Sequence, residues 1–435
     1  MELTFEEALA FIHGRLKFGN RPGLIRMDAI LDKVNHPEKK ISTIHIAGTN
    51  GKGSTVAFLR SLLMKAELKV GTFISPYIKS FNERISIDKV PIANEKLIEY
   101  VKIYQPLIKE LDRNEDVKGL TEFELITAIA FSYFYEKKVD VAIIEVGLGG
   151  LYDSTNVIKP ELTGITTIGY DHQNILGDDL KEIAKQKAGI IKEGIPLVTG
   201  NITKKVLSVI EAVACEKKAV MHRYGVDYRA QSLAWKNFWG ELFDYKTSTK
   251  KLKSLKISML GAHQVENAAM ALKLAEIYLL MKGRFLIEEK IRKALESTFW
   301  PARMEKVSKQ PLIILDGAHN EHAMHRLVEN LKNEFADKKI YILFSALQTK
   351  DVKTMLQQLK NLPNTDLYLT SFAYPKAIKL KDISNLQIEG VKIIPSWSKW
   401  IKEISSKIKR DEIFLITGSL YFVSQVRKFL KSKRN

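Results

Sequence analysis

A strand, a glycine loop and a helix follow one another near the start of this chain, and they limit its fold more than any other feature. The apolar run STIHIAG (42–48) leads into TNGKGS, and TVAFLRSLLMKA (55–66) then has helical spacing. A buried strand that passes through a glycine turn into a helix is typical of βαβ units, whose strands form parallel sheets. The chain is therefore expected to be an α/β protein.

The same alternation continues through the first two thirds of the chain. Further strand candidates are KVGTFIS (69–75), VDVAIIEVG (139–147) and LTGITTIG (162–169). Residues 219–258 differ, because they hold many aromatic residues and lysines in short alternating runs. This pattern predicts a small antiparallel sheet appended to the first domain. The segment QVENAAMALKLAEIYLL (264–280) then returns to the helical period.

A second domain is predicted after residue 296. A chain of 435 residues exceeds the size at which one hydrophobic core stops growing. The proline-containing stretch FWPARMEKV (299–307) marks a change of character. We therefore expect a P-loop-type parallel-sheet domain over 1–296 and a smaller, Rossmann-like α/β domain over 297–435. The second domain has four strand candidates, which are PLIILDGAHN (311–320), KIYILFSAL (339–347), DLYLTSF (366–372) and EIFLITGSL (412–420).

Composition excludes some classes of protein. The 68 basic and 50 acidic residues give a net charge of +18, but the lysines are spread along the chain and match no nucleic-acid-binding consensus. A solvated basic surface that attracts anionic small molecules fits this pattern. Cys215 is the only cysteine, so an intrachain disulfide and a cysteine-built zinc site are excluded. The acidic, amphipathic N-terminus and the lack of an apolar run of about 20 residues predict a cytoplasmic protein without a membrane segment.

The glycine loop has the chemistry of a phosphate-binding site, although its spacing is short. Gly48 is followed by only two residues before Gly51 and Lys52, and Gly53 separates the lysine from Ser54. Glycines let backbone amides face phosphate oxygens, and the following helix presents the positive end of its dipole. Lys52 would neutralise the charge of the β- and γ-phosphates, while Ser54 or Thr55 would face magnesium.

Polar residues after other strands are candidates for a metal site. Glu145 ends one strand candidate, and Asp171 and His172 follow another. In open α/β sheets the carboxyl ends of the strands face the ligand crevice, and a carboxylate there suits magnesium. Each residue also has a simpler interpretation, namely a helix cap for the glutamate and a structural hydrogen bond for the histidine.

Two further segments remain open on pattern alone. The lysine-rich helix EIAKQKAGIIKEG (182–194) predicts that Lys185, Lys187 and Lys192 are surface charges, and the pattern selects none of them for a function. The segment LDGAHN (315–320), together with Arg303, would close over a nucleotide in a domain-closure enzyme. A turn followed by a capped helix explains LDGAHN equally well.

Taken together, these motifs resemble one family, the folylpolyglutamate synthases, which are often also dihydrofolate synthases. They belong to the Mur ligase superfamily of ATP-dependent amide-forming ligases, and the short loop spacing is the form this family uses. The resemblance spans roughly residues 11 to 320. It rests on RLKFGNRPGLIRM (15–27), HIAGTNGKGST (45–55), FISPY (73–77), NERI (82–85), TEFE (121–124), EVGLGGLYDSTN (145–156), TTIGYDHQNILGDDLKEIAKQKAGIIK (166–192), GAHQVENAAMAL (261–272), PARMEK (301–306) and LDGAHN (315–320).

The resemblance implies a role for individual residues. Lys52, Lys187 and His172 would be catalytic, with Lys187 at the position of a carbamylated lysine. Two magnesium ions would be held with Ser75, Glu145 and His172. ATP would contact Asn50, Gly51, Lys52, Gly53, Ser54, Thr55, Asn267, Arg303, Asp316 and His319. The pterin side of the substrate would contact Thr121, Phe123, Glu124 and Asp153.

The resemblance also implies the reaction and the partners. A folate carboxylate would attack the γ-phosphate of ATP, and the amine of L-glutamate would then displace the phosphate from the acyl phosphate. The substrates would be ATP, L-glutamate and folate or dihydropteroate, handled by a monomer that binds neither nucleic acid nor membrane. Whether dihydropteroate is used as well as folate stays open. Tyr77, Leu151 and Tyr152 depart from the family pattern on the folate side, and GAHQ replaces the more frequent GRHQ.

Two rival functions predict different features. A cell-wall Mur ligase would carry an extra N-terminal domain, whereas only 47 residues precede Gly48. A P-loop ATPase acting on nucleic acid would show ATP turnover stimulated by DNA or RNA.

Overall fold

The protein was described from a computed structural model that covers residues 3–19, 21–234, 239–385 and 388–432. Asn20, within the RLKFGNRPGLIRM motif, lies outside the described residues. The chain forms two compact units. The first comprises Met1–Leu233, Phe243–Lys256 and Glu266–Thr298, and the second comprises Ala234–Leu242, Ile257–Val265 and Phe299–Asn435.

The large sheet and the small sheet account for the strands up to residue 257. The elements in this part of the chain are α1 Phe5–His13, α2 Ile25–Lys33, β1 Thr43–Ala47, α3 Lys52–Lys65, β2 Val70–Phe73, β3 Ile85–Ile87, β4 Val90–Pro91, α4 Asn94–Leu111, α5 Glu122–Glu136, β5 Val141–Glu145, β6 Leu162–Ile165, α6 Gln173–Leu176, α7 Leu180–Ala188, β7 Leu197–Thr199, α8 Lys204–Glu216, β8 Met221–Arg223, β9 Tyr228–Leu233, β10 Glu241–Thr247, β11 Lys251–Ile257, α9 Ala262–Met281 and α10 Glu288–Glu296.

The large sheet has the strand order β4-β3-β2-β5-β1-β6-β7-β8. Strands β2, β5, β1, β6, β7 and β8 are parallel, and β3 and β4 add an antiparallel edge. The inner strands β1, β5 and β6 are fully buried, as their apolar sequences require. Because β1 lies between β5 and β6, the loops that follow these three strands emerge side by side at one edge of the sheet. This is the edge at which α/β proteins bind ligands.

The small sheet has the order β11-β10-β9 and is antiparallel, which confirms the appended sheet predicted from residues 219–258. One strand in that stretch was placed wrongly, because β8 pairs in parallel with β7 and belongs to the large sheet. Its three residues, Met221 to Arg223, are only half-buried, so a sheet-edge strand of this kind lacks the apolar run that identified the other parallel strands.

The second unit has an α/β fold with a sheet of its own. Its remaining elements are β12 Glu305–Lys309, β13 Leu312–Leu315, α11 Glu321–Phe335, β14 Ile340–Ser345, α12 Val352–Lys360, β15 Thr365–Thr370, α13 Leu380–Asn385, β16 Val391–Ile394, α14 Trp397–Lys407, β17 Ile413–Gly418 and α15 Leu420–Ser432. The strand order is β12-β13-β17-β14-β15-β16, with β12 antiparallel to β13 and the other pairs parallel.

The four strands predicted for the second unit are confirmed as β13, β14, β15 and β17, and the fold class is confirmed with them. The sequence did not indicate β12 and β16. Both lie at edges of the sheet, where a strand needs only one hydrogen-bonded neighbour and tolerates polar side chains, as in Glu305–Lys309. Among the described residues no helix is long and apolar enough to cross a membrane.

Candidate active site

The glycine loop between β1 and α3 is held by two threonines that follow β6. The Thr166 and Thr167 hydroxyls both donate to the Asn50 carbonyl, at 2.6 and 3.0 Å, and the Asn50 amide donates to Thr167 Oγ1 at 3.0 Å. Gly48 has φ +143°, and a Cβ built on it would lie 1.9 Å from Thr166 Oγ1. The loop therefore requires glycine at position 48 for both backbone conformation and space.

Helix α3 begins at Lys52 directly after Gly51, which has φ +87°. A Cβ on Gly51 would lie 2.4 Å from Asn267 Oδ1, so Asn267 lies against the loop. Because glycine has no side chain to cap the helix, the backbone N–H groups of the first turn are available to an anion. Ser54 and Thr55 in that turn are buried, and Thr55 Oγ1 has no hydrogen-bond partner among the described residues.

Two lysine ammonium groups meet at one carbonyl of this loop. Lys52 Nζ lies 3.0 Å from the Gly48 oxygen and 3.3 Å from the Thr49 oxygen. Lys187 Nζ lies 3.1 Å from the same Gly48 oxygen. Burial, and then the positive charge of Lys52, lower the pKa of Lys187 to about 7. A buried amine with this pKa exists partly in the neutral, nucleophilic form near neutral pH.

The structure separates the three lysines that the sequence pattern left equivalent. Lys187 is buried, with 4% of its surface exposed. Lys185 is exposed and paired with Glu182 at 2.9 Å. The Lys192 ammonium donates to the Asn156 carbonyl at 3.2 Å. The prediction that all three are surface charges is wrong for Lys187, because the last turn of α7 packs against the loop after β5.

That loop, residues 146–153, lies between the lysine site and Phe123, whose ring is called here the aromatic wall. A Cβ on Gly150 would lie 2.6 Å from the Gln186 carbonyl and 3.0 Å from Lys187 Cα, and Leu151 N donates to the Gln186 carbonyl at 2.7 Å. At the other end, a Cβ on Gly147 would lie 2.5 Å from the Phe123 ring. The loop therefore contacts the lysine site and Phe123 within a few residues.

Asp153 ends this loop and is almost completely buried. Its carboxylate accepts the Leu148 amide at 2.8 Å, the Thr155 amide at 3.0 Å and the Thr155 hydroxyl at 2.5 Å. Burial raises the pKa of Asp153, although these hydrogen bonds act in the opposite direction. Thr155 Oγ1 in turn lies 2.8 Å from Nε2 of His45 on β1.

Thr121, Phe123 and Glu124 lie together at the start of α5, but not all of them are available to a substrate. Thr121 and Glu124 form a capping box, with Thr121 N donating to Glu124 at 2.7 Å. The Glu124 carboxylate also forms a buried ion pair with Arg26, at 2.9 Å. Phe123 contacts Phe73 with ring centroids 5.7 Å apart. The geometry thus shows Glu124 occupied in holding the helix, while Phe123 borders the loop after β5.

The metal candidates come from neighbouring strands. Ser75 follows β2, and Glu145 ends the adjacent strand β5 and is buried. Glu145 also pairs in register with Ile46, two residues before the glycine loop. His172 follows β6, is exposed and has φ +52°. Within the described ranges no group of three or more His, Cys, Asp and Glu side chains is arranged to hold an ion. Magnesium needs few protein ligands when substrate phosphates and waters complete its shell, so this donor set fits a substrate-bound ion.

A cavity of about 600 Å³ lies beside the loop after β5. Its lining includes Leu24, Leu151, Tyr152, Ile191 and Lys192. Leu151 and Tyr152, which depart from the family pattern, line this cavity and are at the same time exposed to solvent.

The predicted residues of the second unit also lie together. Asp316 accepts the amides of Met304 and Ala318, each at 2.9 Å, and a Cβ on Gly317 would lie 2.7 Å from the Arg303 guanidinium. Burial raises the pKa of Asp316, with the Arg303 charge opposing it. His319 Nδ1 donates to the Gly317 carbonyl at 2.8 Å. Asn320 caps α11, so the capped-helix interpretation of LDGAHN also holds.

Family comparisons agree with this geometry. Residues 46–275 match the Mur ligase middle domain, and residues 302–420 match the Mur ligase glutamate ligase domain. These matches define a class, the ATP-dependent ligases of the Mur ligase family, and confirm that the chain is an enzyme of this kind.

The relatives narrow the class. The dihydrofolate synthase/folylpolyglutamate synthase of Bacillus subtilis is 44% identical over 99% of this chain and 100% of its own length. The folylpolyglutamate synthase of Lacticaseibacillus casei is 35% identical over 98% of this chain and 99% of its own. A solved FPGS–AMPPCP–folate complex has a TM-score of 0.85 and 34% identity, covering 98% of this chain and 99% of that one. The chain belongs to the folylpolyglutamate synthase/dihydrofolate synthase family, which confirms the family predicted from its motifs.

Sequence reasoning gave no role to several residues that shape this site. Arg26, His45, Thr166 and Thr167 all lie within motifs that were recognised as whole strings. A usable signal existed for His45, because a histidine in the middle of an otherwise apolar parallel strand is costly to bury without a partner. Arg26 gave no such signal, since its partner Glu124 is 98 residues away in the chain.

Proposed function

We propose that this chain joins L-glutamate to a folate carboxylate at the expense of ATP. The observation that carries the proposal is the loop after β5, which contacts both Phe123 and Lys187, the lysine that approaches the glycine loop at the Gly48 carbonyl. A phosphate-transfer site and an aromatic surface suited to a pterin ring are thereby joined by one short segment. The relatives solved with AMPPCP and folate support the same pair of substrates.

The proposed reaction is the one that the family resemblance implies, and the charges at this site support it. The folate carboxylate attacks the γ-phosphate of ATP, forming an acyl phosphate and releasing ADP. The amine of L-glutamate then attacks the acyl carbon, forming the amide and releasing phosphate. Catalysis in the first step is mainly positioning and charge neutralisation. Lys52 and the N–H groups of Gly53 and Ser54 in the first turn of α3 are assigned to the phosphates, and Asn50, Gly51 and Asn267 to the surrounding nucleotide contacts.

We assign magnesium to the edge of the sheet beside the loop, with two ions expected. Glu145 and Ser75 would be its protein ligands, together with His172 and the unpartnered Thr55 hydroxyl. When bound, magnesium neutralises phosphate charge. Lys187 is proposed to be carbamylated: its neutral amine adds to carbon dioxide, loses one proton and becomes an anionic oxygen donor. The lowered pKa of Lys187 supports this chemistry, because only the neutral amine reacts.

On the folate side, we assign Phe123, Asp153 and Thr121 to the pterin, and Glu124 to holding that wall through Arg26. The cavity lined by Leu151 and Tyr152 is proposed to receive part of the same substrate. In the second unit, Arg303, Asp316 and His319 are proposed nucleotide contacts, because they lie together there. We further propose a cytoplasmic monomer, an ATP-binding domain over 1–296 and a second domain over 297–435.

The test is ADP release in two mixtures. One contains dihydropteroate, L-glutamate and ATP, and the other contains reduced folate, L-glutamate and ATP. We expect ADP from the reduced-folate mixture, and ADP from both if the enzyme is bifunctional. ADP from the second mixture alone rejects dihydrofolate synthase activity, and ADP from neither rejects the function.

A further inference from the structure

We propose that His45 is a positioning residue that holds Asp153 ready for the folate through the Thr155 hydroxyl. This inference rests on the proposed function, because it takes Asp153 as a substrate contact. The three side chains form one continuous hydrogen-bonded chain, from β1 through the 3₁₀ turn at 154–157 to the end of the loop after β5.

The direction of each hydrogen bond follows from the groups present. The Thr155 hydroxyl has one proton, and the Asp153 carboxylate at 2.5 Å can only accept it when ionised. Thr155 Oγ1 must then accept from His45, so Nε2 of the imidazole carries a proton. Nδ1 of His45 is left as the unprotonated nitrogen, and it has no hydrogen-bond partner among the described residues.

Burial argues that this arrangement has a purpose beyond folding. His45 and Thr155 are both fully buried, and His45 lies between Ile44 and Ile46 in a strand that is buried along its whole length. A buried histidine with one unpaired nitrogen is less favourable there than an aliphatic side chain. Burial also lowers the pKa of His45 to about 3. The imidazole is therefore a neutral donor at every pH at which the enzyme would work.

The consequence concerns the geometry of Asp153. Oδ1 is fixed by the Thr155 amide and hydroxyl, and Oδ2 by the Leu148 amide. A carboxylate fixed through both oxygens offers its remaining lone pairs in set directions. Paired N–H donors, as on the amidine edge of a pterin, suit such an acceptor. Donation from His45 orients the Thr155 hydroxyl and strengthens its bond to Asp153 through polarisation.

The experiment compares steady-state kinetics of full-length variants. His45→Leu removes the donor and should raise the KM for folate by roughly ten-fold, with the KM for MgATP and kcat within about two-fold. His45→Gln keeps an N–H near the position of Nε2 and should recover most of the loss. Thr43→Val is the matched control, because Thr43 lies on the same strand, is buried, and its hydroxyl has no partner among the described residues.

A double-mutant cycle with Asp153→Asn separates the possible failures. If His45 acts through Asp153, adding His45→Leu to Asp153→Asn should raise the folate KM little further. Full additivity, or equal losses in folate and MgATP kinetics, overturns the positioning role. An unchanged folate KM in Asp153→Asn overturns the substrate assignment of Asp153 instead. Thermal unfolding of each variant shows whether a loss arises from instability.

Discussion

At the scale of single residues, the site depends on the positions of two lysine ammonium groups. Lys52 and Lys187 approach the same Gly48 carbonyl from different elements, and only one of them was marked by local sequence. Lys52 lies in a glycine loop, and the neighbouring glycines indicate phosphate binding. Lys187 stands in a helix with other lysines, and only the resemblance to a family singled it out before the structure showed it buried.

Lys52→Ala should abolish ligation without unfolding the protein. The variant removes the positive charge assigned to the β- and γ-phosphates, so the rate of ADP release should fall by about a hundred-fold or more. Lys185→Ala is the matched control, since Lys185 is exposed and forms an exposed ion pair with Glu182. ADP release in the presence of folate and glutamate is the measurement. Activity retained in Lys52→Ala would refute the loop assignment.

The pKa of Lys187 predicts a dependence of stability on pH. In the unfolded chain this lysine keeps its proton up to its ordinary value of 10.5, whereas in the folded chain it loses it near 7. Unfolding therefore takes up a proton between these values, and stability should rise with pH by up to about 1.4 kcal/mol per pH unit from this group. Urea unfolding at pH 7, 8 and 9 measures this slope in wild type and Lys187→Met, in buffer free of carbon dioxide so that Lys187 is the unmodified amine. An equal pH slope in both proteins would contradict the assignment.

At the scale of elements, the site depends on turns and helix N-termini that are fixed by residues far away in the sequence. The glycine loop is fixed by threonines that follow β6, and α5 begins where Arg26 of α2 pairs with Glu124. The first turn of α5 carries Phe123, so these contacts set the position of the aromatic wall.

Gly48→Ala should disrupt the nucleotide loop. The new Cβ would meet Thr166 Oγ1 at 1.9 Å in a backbone conformation that alanine rarely adopts. Thr166 would have to move away from the Asn50 carbonyl, and the KM for MgATP should rise by roughly ten-fold or more. Gly14→Ala is the control, because Gly14 has open space around it and an ordinary φ of −58°. Equal MgATP kinetics in the two variants would mean that the loop is not held as described.

Arg26→Met should be strongly destabilising. It leaves the buried Glu124 carboxylate without its cation, at a cost of about 3–5 kcal/mol in the free energy of unfolding. Lys33→Met, on the same helix, breaks an exposed pair with Glu110 and should cost far less, because solvent screens the attraction between exposed charges. Urea unfolding compares the two, and a similar small cost for both would show that the Arg26–Glu124 pair does not hold α5.

At the scale of the whole molecule, the sequence predicted the architecture better than the site. Apolar runs such as 139–147 and 412–420 identified the inner parallel strands, because full burial demands an unbroken apolar sequence. The edge strands β8, β12 and β16 were not predicted, because a partly exposed strand does not need an unbroken apolar sequence. Contacts such as His45 with Thr155 join residues 110 apart and leave no local pattern. For those the fold itself had to be known.

The net charge of +18 predicts how substrate binding responds to salt. A basic surface attracts a folate with several glutamates more than one with a single glutamate, and salt screens this attraction. The KM for a folate triglutamate should rise several-fold between about 0.05 and 0.5 M ionic strength. The KM for the monoglutamate should rise by less over the same range. DNA or RNA should not stimulate ATP turnover. Equal salt dependence for both folates would locate the positive charge away from the substrate path.

The central claim is that ATP activates a carboxylate of the folate for attack by glutamate. Labelling the terminal γ-carboxylate of the folate with oxygen-18 tests it directly, by mass spectrometry of the inorganic phosphate released during ligation. If an acyl phosphate forms, one labelled oxygen passes from the carboxylate to each phosphate. Amide formation with unlabelled phosphate would contradict the account.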